Sequence, residues 1–325
     1  MCTCENSFLL PSFSRIMLIT RETIEAAADR ISGCVRVTPV VTLEADAFDL
    51  PARVTLKLER LQHTGSFKPR GAFNRILSAD VPEAGVIAAS GGNHGAAVAY
   101  AARELGLRAE IFVPLPTPQL KLDRLRQYGA EVVATGSGYA EALAASSERA
   151  ARSGALVVHA YDQAEVLAGQ GTLGRELEQQ APELEAVFVA VGGGGLIGGV
   201  AAWYAGRRRV IGVEPEGCPT LARALEAGKP VDVQVGGLAA DSLGARRIGE
   251  LMFPIARQLI ERVVLVSDDQ IRQTQRLLWD RLRILAEPGG ATALAGLLFG
   301  AYRPRPGERV GVIVCGGNTD PARFS

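Results

Sequence analysis

Net charge is missing from this chain: 35 basic residues stand against 35 acidic ones. Nothing electrostatic therefore argues for nucleic acid or an anionic membrane surface as a partner. Cysteine is scarce and odd in number, with five residues (Cys2, Cys4, Cys34, Cys218 and Cys315) scattered along the sequence. No paired metal-ligand spacing occurs, and Cys2 and Cys4 are too close and too isolated for a zinc site. The pattern suits a reducing, cytoplasmic compartment and no bound metal. No apolar run reaches the roughly 20 residues that cross a bilayer. Internal repeats and low-complexity linkers are missing as well. The stretch from Phe8 to Phe13 is too short and interrupted for a signal-peptide core and has no basic leader. Residues 1–16 therefore read as a disordered, dispensable extension, or as the product of an upstream start codon.

What remains is ordinary for a soluble globular protein: 325 residues, 47% hydrophobic and 22% charged, enough for two domains or one large domain with a subdomain. Thr20-Arg21-Glu22 caps a helix to about Ile31. Apolar runs then alternate with helical segments. Strands are expected at Val54–Leu58, Val86–Ala89, Ile111–Val113, Glu131–Val133, Leu156–Val158, Ala186–Val191, Val210–Val213, Val263–Val266 and Val310–Val314. Buried apolar strands in strict alternation with helices predict an α/β fold with parallel sheet.

The segment Gly65-Ser66-Phe67-Lys68-Pro69-Arg70-Gly71-Ala72 sets one lysine on a turn ahead of a helical run to Leu77. Such a position suits packing poorly and chemistry well. A helix N-terminus disfavours the ammonium charge, and burial lowers its pKa toward the neutral amine that forms Schiff bases. Alone, Lys68 reads as a surface lysine; three glycine-rich segments change that reading.

The strand Ala186–Val191 runs into Gly192-Gly193-Gly194-Gly195 and then a helix beginning at Leu196. Glycines let backbone N–H groups approach an anion and the helix dipole adds to the attraction, so phosphate is the natural ligand. A rival exists. Gly193, Gly195 and Gly198 satisfy the dinucleotide pattern, with Glu214 about twenty residues on. Its place in the middle of the array, and its silence about Lys68, count against it. The second segment, Ser90-Gly91-Gly92-Asn93-His94-Gly95, offers amides, a hydroxyl and a carboxamide that suit a small carboxylate. His94 could serve as a base there, but a structural hydrogen-bonder is the commoner role. The third, Cys315-Gly316-Gly317-Asn318, ends a strand where open α/β sheets place ligands. Cys315 could equally be a small buried hydrophobe.

These three segments, the lysine motif and Glu287-Pro288-Gly289-Gly290-Ala291 occur here in one order over about residues 20–320. Together they resemble the serine/threonine dehydratase family of pyridoxal-phosphate enzymes, which includes serine racemase and shares the tryptophan-synthase β-subunit fold. The resemblance implies two open, mostly parallel sheets with flanking helices. A large cofactor domain (1–84 and 163–325) would be interrupted by a smaller mobile one (85–162), with pyridoxal phosphate in the cleft. It also implies a homodimer. By the same resemblance Lys68 would hold the cofactor as a Schiff base and later take the substrate Cα proton. Phe67 would lie close to the ring, and Gly192, Gly193, Gly194, Gly195 and the Leu196 amide would bind the phosphate. Asn93 would bond the ring hydroxyl, while Ser90, Gly91, Gly92, Asn93 and His94 cradle the substrate carboxylate. Cys315 would face the pyridine nitrogen, Glu287 would line the pocket, and Asp162 would reach the substrate side.

A thiol is a poor partner for a pyridinium, so the ring would be a moderate electron sink that favours prompt loss of a β-hydroxyl. Two features depart from the racemase pattern. Gly91 stands where racemases carry a serine on the opposite cofactor face, and Thr220 stands where their cation site has a second acid after Glu214. No appended regulatory domain is expected after Ser325. The reading is thus a pyridoxal-phosphate ammonia-lyase for L-threonine, L-serine or another 3-hydroxy amino acid, 3-hydroxyaspartate included. An amino-acid racemase, a nicotinamide dehydrogenase and a non-catalytic amino-acid or cofactor sensor are the competing readings.

Overall fold

The computed structural model describes residues 19–44 and 47–324; the expected extension at 1–16 lies outside the described residues. In chain order the strands are Val40–Thr42 (β1), Arg53–Lys57 (β2), Val86–Ala89 (β3), Ala109–Val113 (β4), Glu131–Ala134 (β5), Leu156–Val157 (β6), Ala186–Ala190 (β7), Arg209–Pro215 (β8), Arg262–Val266 (β9) and Arg309–Ile313 (β10). They form a six-stranded sheet ordered β1-β2-β10-β7-β8-β9 and a four-stranded sheet ordered β5-β4-β3-β6. Every pairing is parallel except that of β1 with β2.

The central strands of the larger sheet are covered on both faces, and their composition follows. All five residues of β7, Ala-Val-Phe-Val-Ala, are buried, as a doubly covered parallel strand requires. Among the covering elements, the helices Ala164–Gln180 and Gly195–Tyr204 approach unusually closely. A Cβ at Gly199 would lie inside contact distance of the Leu167 carbonyl and the Gly171 backbone, so only glycine allows this crossing. The smaller sheet shows the period of two plainly. Val86 and Ala88 pack in one cluster with the helix Asn93–Glu104, while Ile87 and Ala89 pack on the other face with Ala150 of the helix Tyr139–Ser153.

Strand β1 has no counterpart in the sequence reading. It is three residues long, half exposed and antiparallel, so it carries neither the buried run nor the helix that mark the other strands. No helix among the described residues is long and apolar enough to cross a membrane.

Candidate active site

Lys68 follows a tightly turned segment in which Thr64 and Gly65 both have positive φ (59° and 76°). Ser66 forms an antiparallel bridge with Gly316, and the Phe67 amide donates to the Cys315 carbonyl at 3.0 Å. The lysine motif is thereby stitched to the glycine segment at the end of β10. Lys68 itself caps the helix Pro69–Leu77, whose first residue is the proline that position favours. Its Nζ donates to the Ala160 carbonyl at 2.7 Å and lies 5.2 Å from the Phe67 ring centroid. Burial lowers its pKa to about 8, with Cys315 and Glu287 pulling the other way.

Arg70 anchors this helix from below. Its guanidinium, 1% exposed, grips Glu59 with two hydrogen bonds of 2.8 and 2.7 Å. A third bond reaches Glu176 at 2.9 Å, and Glu176 also accepts from buried Lys57 at 2.5 Å. Burial, the largest single influence, would raise the Glu59 carboxyl; the Arg70 charge and hydrogen bonds, with Lys57 and Thr38, together outweigh it and hold that group below the ordinary range. Two cations and two anions thus neutralise one another beneath the lysine.

Asn93 opens the helix Asn93–Glu104, and its Nδ2 donates to Glu287 Oε1 at 2.6 Å. Glu287 caps the helix Pro288–Phe299; burial pushes its pKa up to about 7 against the pull of the Asn93 hydrogen bond. Cys315 is buried with its Sγ 3.4 Å from the Gly289 carbonyl, and burial raises its thiol well above the usual range, so it is neutral at physiological pH. His94 is equally buried. Its Nε2 is 2.8 Å from the Val158 carbonyl, and burial first, then Lys68, lower its pKa to about 3. The Ser90 hydroxyl accepts from the Gly92 amide at 3.2 Å. A Cβ on Gly91 would meet the Thr117 methyl at 3.1 Å.

The four-glycine loop leaves β7 and opens the helix Gly195–Tyr204 with Gly194 at φ 89°, a left-handed turn for which glycine is the natural residue. No side chain caps this helix, so the first amides, Leu196 included, have no partner within it. The Tyr161 ring lies against Gly193 and Met252 against Gly194, walling the loop on two sides. The short helix Ala240–Leu243 draws the loops together: Leu243 abuts Gly192, Ser242 abuts Gly289, and the Asp241 carbonyl lies near Gly92.

Two carboxylates that the sequence marks are bound to backbone amides. Asp162 is the first. Its two carboxylate oxygens accept from the Glu250 and Leu251 amides, each at 3.0 Å, which fastens the segment beside the glycine loop. Glu214, the acid of the dinucleotide pattern, is fully buried and accepts from the Leu221 and Ala222 amides at 2.6 and 2.9 Å. Burial lifts its pKa to about 8 against those bonds. It caps a helix start and leaves no oxygen facing a ribose. Residues that the motifs did not single out also matter: Tyr161, Met252 and Arg124, whose contacts join segments far apart in sequence.

The residues present fit pyridoxal phosphate. An uncapped helix N-terminus with glycine amides suits its phosphate, a buried amine of lowered pKa suits its aldehyde, and a neutral thiol beside that amine suits its ring. Comparison with known proteins agrees. The family described as "Pyridoxal-phosphate dependent enzyme" matches residues 31–316. Phenylserine dehydratase from Ralstonia pickettii is 40% identical over 302 residues, 91% of this chain and 92% of its own. L-threonine ammonia-lyase from Geobacter sulfurreducens is 39% identical over 307 residues, 93% of this chain and 76% of its own. The structure of maize serine racemase superposes with a TM-score of 0.89 at 32% identity, covering 94% of this chain and 96% of that one. Motifs, fold and likeness thus converge, and the chain belongs to the serine/threonine dehydratase family of pyridoxal-phosphate-dependent enzymes.

Proposed function

We propose that the protein is an ammonia-lyase that β-eliminates water from L-threonine, L-serine or a close 3-hydroxy amino acid and releases a 2-oxo acid and ammonia. One observation carries the reading: Lys68 is a buried amine with a pKa of about 8, basic enough to take a proton and neutral often enough to do so near physiological pH. The relatives named above are, by their names, a phenylserine dehydratase, a threonine ammonia-lyase and a serine racemase, all of them concerned with 3-hydroxy amino acids.

Pyridoxal phosphate, when bound, supplies the electron sink that acidifies the substrate Cα–H. Phe67 would flank its ring, Asn93 would bond its ring hydroxyl, and Gly192 to Leu196 would hold its phosphate. The amides of Ser90 to His94 hold the substrate carboxylate at a helix N-terminus. Lys68 Nζ takes the Cα proton, and the ammonium so formed is the chain's own proton source for the departing hydroxyl. His94 is a poor base: its Nε2–H donates to the Val158 carbonyl, and burial with the nearby Lys68 charge lowers its pKa to about 3. Cys315, kept neutral by burial, would offer the ring no anion. Residues 85–162 close over the bound substrate, and by family resemblance the protein works as a homodimer.

Racemisation needs an acid opposite Lys68, and Gly91 has no side chain to provide one. A serine there would first have to displace the Thr117 methyl, since its Cβ would lie 3.1 Å away. We therefore expect 2-oxo acid from L-threonine or L-serine to exceed D-amino acid by at least ~100-fold, a gap of ~2.7 kcal/mol in barrier. A ketoacid assay run beside a chiral amino-acid assay tests this, with Lys68→Ala as the inactive control. D-Amino acid as the main product would replace the lyase reading with the racemase one.

A further inference from the structure

Asn93 is the middle of a chain of four side chains drawn from four separate segments. Arg124, on the helix Gln119–Gln127, donates through Nη2 to Asn318 Oδ1 at 2.8 Å and to the Thr64 carbonyl at 2.7 Å. Asn318 donates through Nδ2 to the same Thr64 carbonyl at 2.8 Å and to Asn93 Oδ1 at 2.6 Å. Asn93 in turn donates through Nδ2 to Glu287 Oε1 at 2.6 Å.

The two ends dictate the polarity of everything between them. A guanidinium has five N–H donors and no acceptor, so the group it meets on Asn318 must be the oxygen. The other end of that amide then donates, and Asn93 must answer with its own oxygen. Its NH2 group is left pointing at Glu287, where an oxygen receives it. One of the two Asn93 N–H bonds is thereby engaged, and the second has a fixed direction. An isolated asparagine would be free to exchange the two ends of its amide.

We propose that Arg124 and Asn318 are positioning residues that hold the Asn93 amide in the one orientation able to donate its second N–H to the ring oxygen of the cofactor. This rests on the cofactor contact assigned to Asn93 above. Arg124 reaches the Asn93 amide by hydrogen bonds through Asn318, and it also steadies the Thr64 carbonyl that Asn318 shares. The oxygen of Asn318 is also seated closely: a Cβ on Gly65 would overlap it, so glycine at 65 keeps its place open.

The test uses the holoenzyme and two variants of different kind. Arg124→Met keeps a long side chain and removes the donor that sets the polarity. Asn318→Asp is nearly isosteric and presents only acceptors, so it forces Asn93 to turn its NH2 away from Glu287. Each variant should move the position or relative height of the visible absorption bands of bound pyridoxal phosphate. Each should also lower kcat by about 10-fold, the weight of one hydrogen bond, with KM changed less than ~3-fold. Arg124→Lys, which also donates and cannot accept, should return the spectrum toward that of the unmutated protein. Spectra unchanged in both variants, or no return with lysine, would overturn the proposal, as would losses of kcat that follow only the fall in melting temperature. Absence of any visible cofactor band in the unmutated protein would instead overturn the assignment of the site itself.

Discussion

Lys68 loses basicity because its ammonium form forfeits hydration when buried, and the Ala160 carbonyl and its neighbours replace only part of it. Its folded pKa of about 8 lies below the ordinary 10.5, so the unfolded chain binds the proton more tightly. The buried charge therefore opposes folding fully below about pH 8, and this penalty fades as pH rises toward 10.5. The same amine is the nucleophile that captures the cofactor aldehyde. Attachment of pyridoxal phosphate to protein stripped of it should accelerate with pH and reach half its limiting rate near pH 8. A midpoint near 10.5, followed by absorbance, would mean that the amine is not buried in this way. Lys68, Asn93, Glu287 and Cys315 were legible in the sequence as candidates because each sits in a short motif, and the structure sets Asn93 on Glu287 and Lys68 near Glu287 and Cys315. The backbone partners of Asp162 were not legible, since its carboxylate answers to amides 88 and 89 residues further on, a separation that no local pattern encodes. The role of Arg124 was hidden for the same reason.

Among the elements, the helix Pro69–Leu77 owes its fixed position to charge as much as to packing. Arg70 and Glu59 are both fully buried, and each is the main counter-ion of the other. Glu59→Ala would leave a guanidinium in the core with only Glu176 beside it. A loss of about 3–5 kcal/mol in unfolding free energy is expected, read from denaturant or thermal melts. A loss under about 1 kcal/mol would mean that water or Glu176 replaces Glu59 freely. The central parallel strands were legible because a doubly covered strand such as β7 is apolar throughout, whereas β1 has only three residues, none of them buried. The glycine loop was legible as a strand-to-helix turn from its glycines and the elements that flank it. The walls that Tyr161 and Met252 build around it were not, because nothing in their local sequence marks them.

At the scale of the whole molecule, the segment carrying β3 to β6 meets the rest of the chain where Asn93 bonds Asn318 and the helix Ala240–Leu243 lies against Gly92, Gly192 and Gly289. Arg124 bridges this junction, and so does the ion pair of Lys121 with Asp241 at 2.5 Å. That pair is exposed, and such pairs hold segments together by only about 0–1 kcal/mol. The tighter links are the hydrogen bonds of Arg124 and Asn93 to Asn318 and of Asn93 to Glu287, and the mobility proposed for residues 85–162 requires these to break and re-form. Binding of an unreactive substrate analogue should slow amide hydrogen exchange in residues 119–127 while leaving β9, on the far edge of the larger sheet, unchanged. Equal exchange with and without the analogue would contradict closure of this segment. The α/β class and most strand positions followed from the sequence; the division into two sheets by way of β3 to β6 depends on long-range pairing that spacing leaves open.

The most direct measurement is borohydride reduction of the purified protein followed by peptide mapping. The account predicts a yellow protein that bleaches on reduction, with one pyridoxyl group fixed irreversibly on the peptide containing Lys68. A protein that carries no visible band, or one whose label falls on a different lysine, would contradict it.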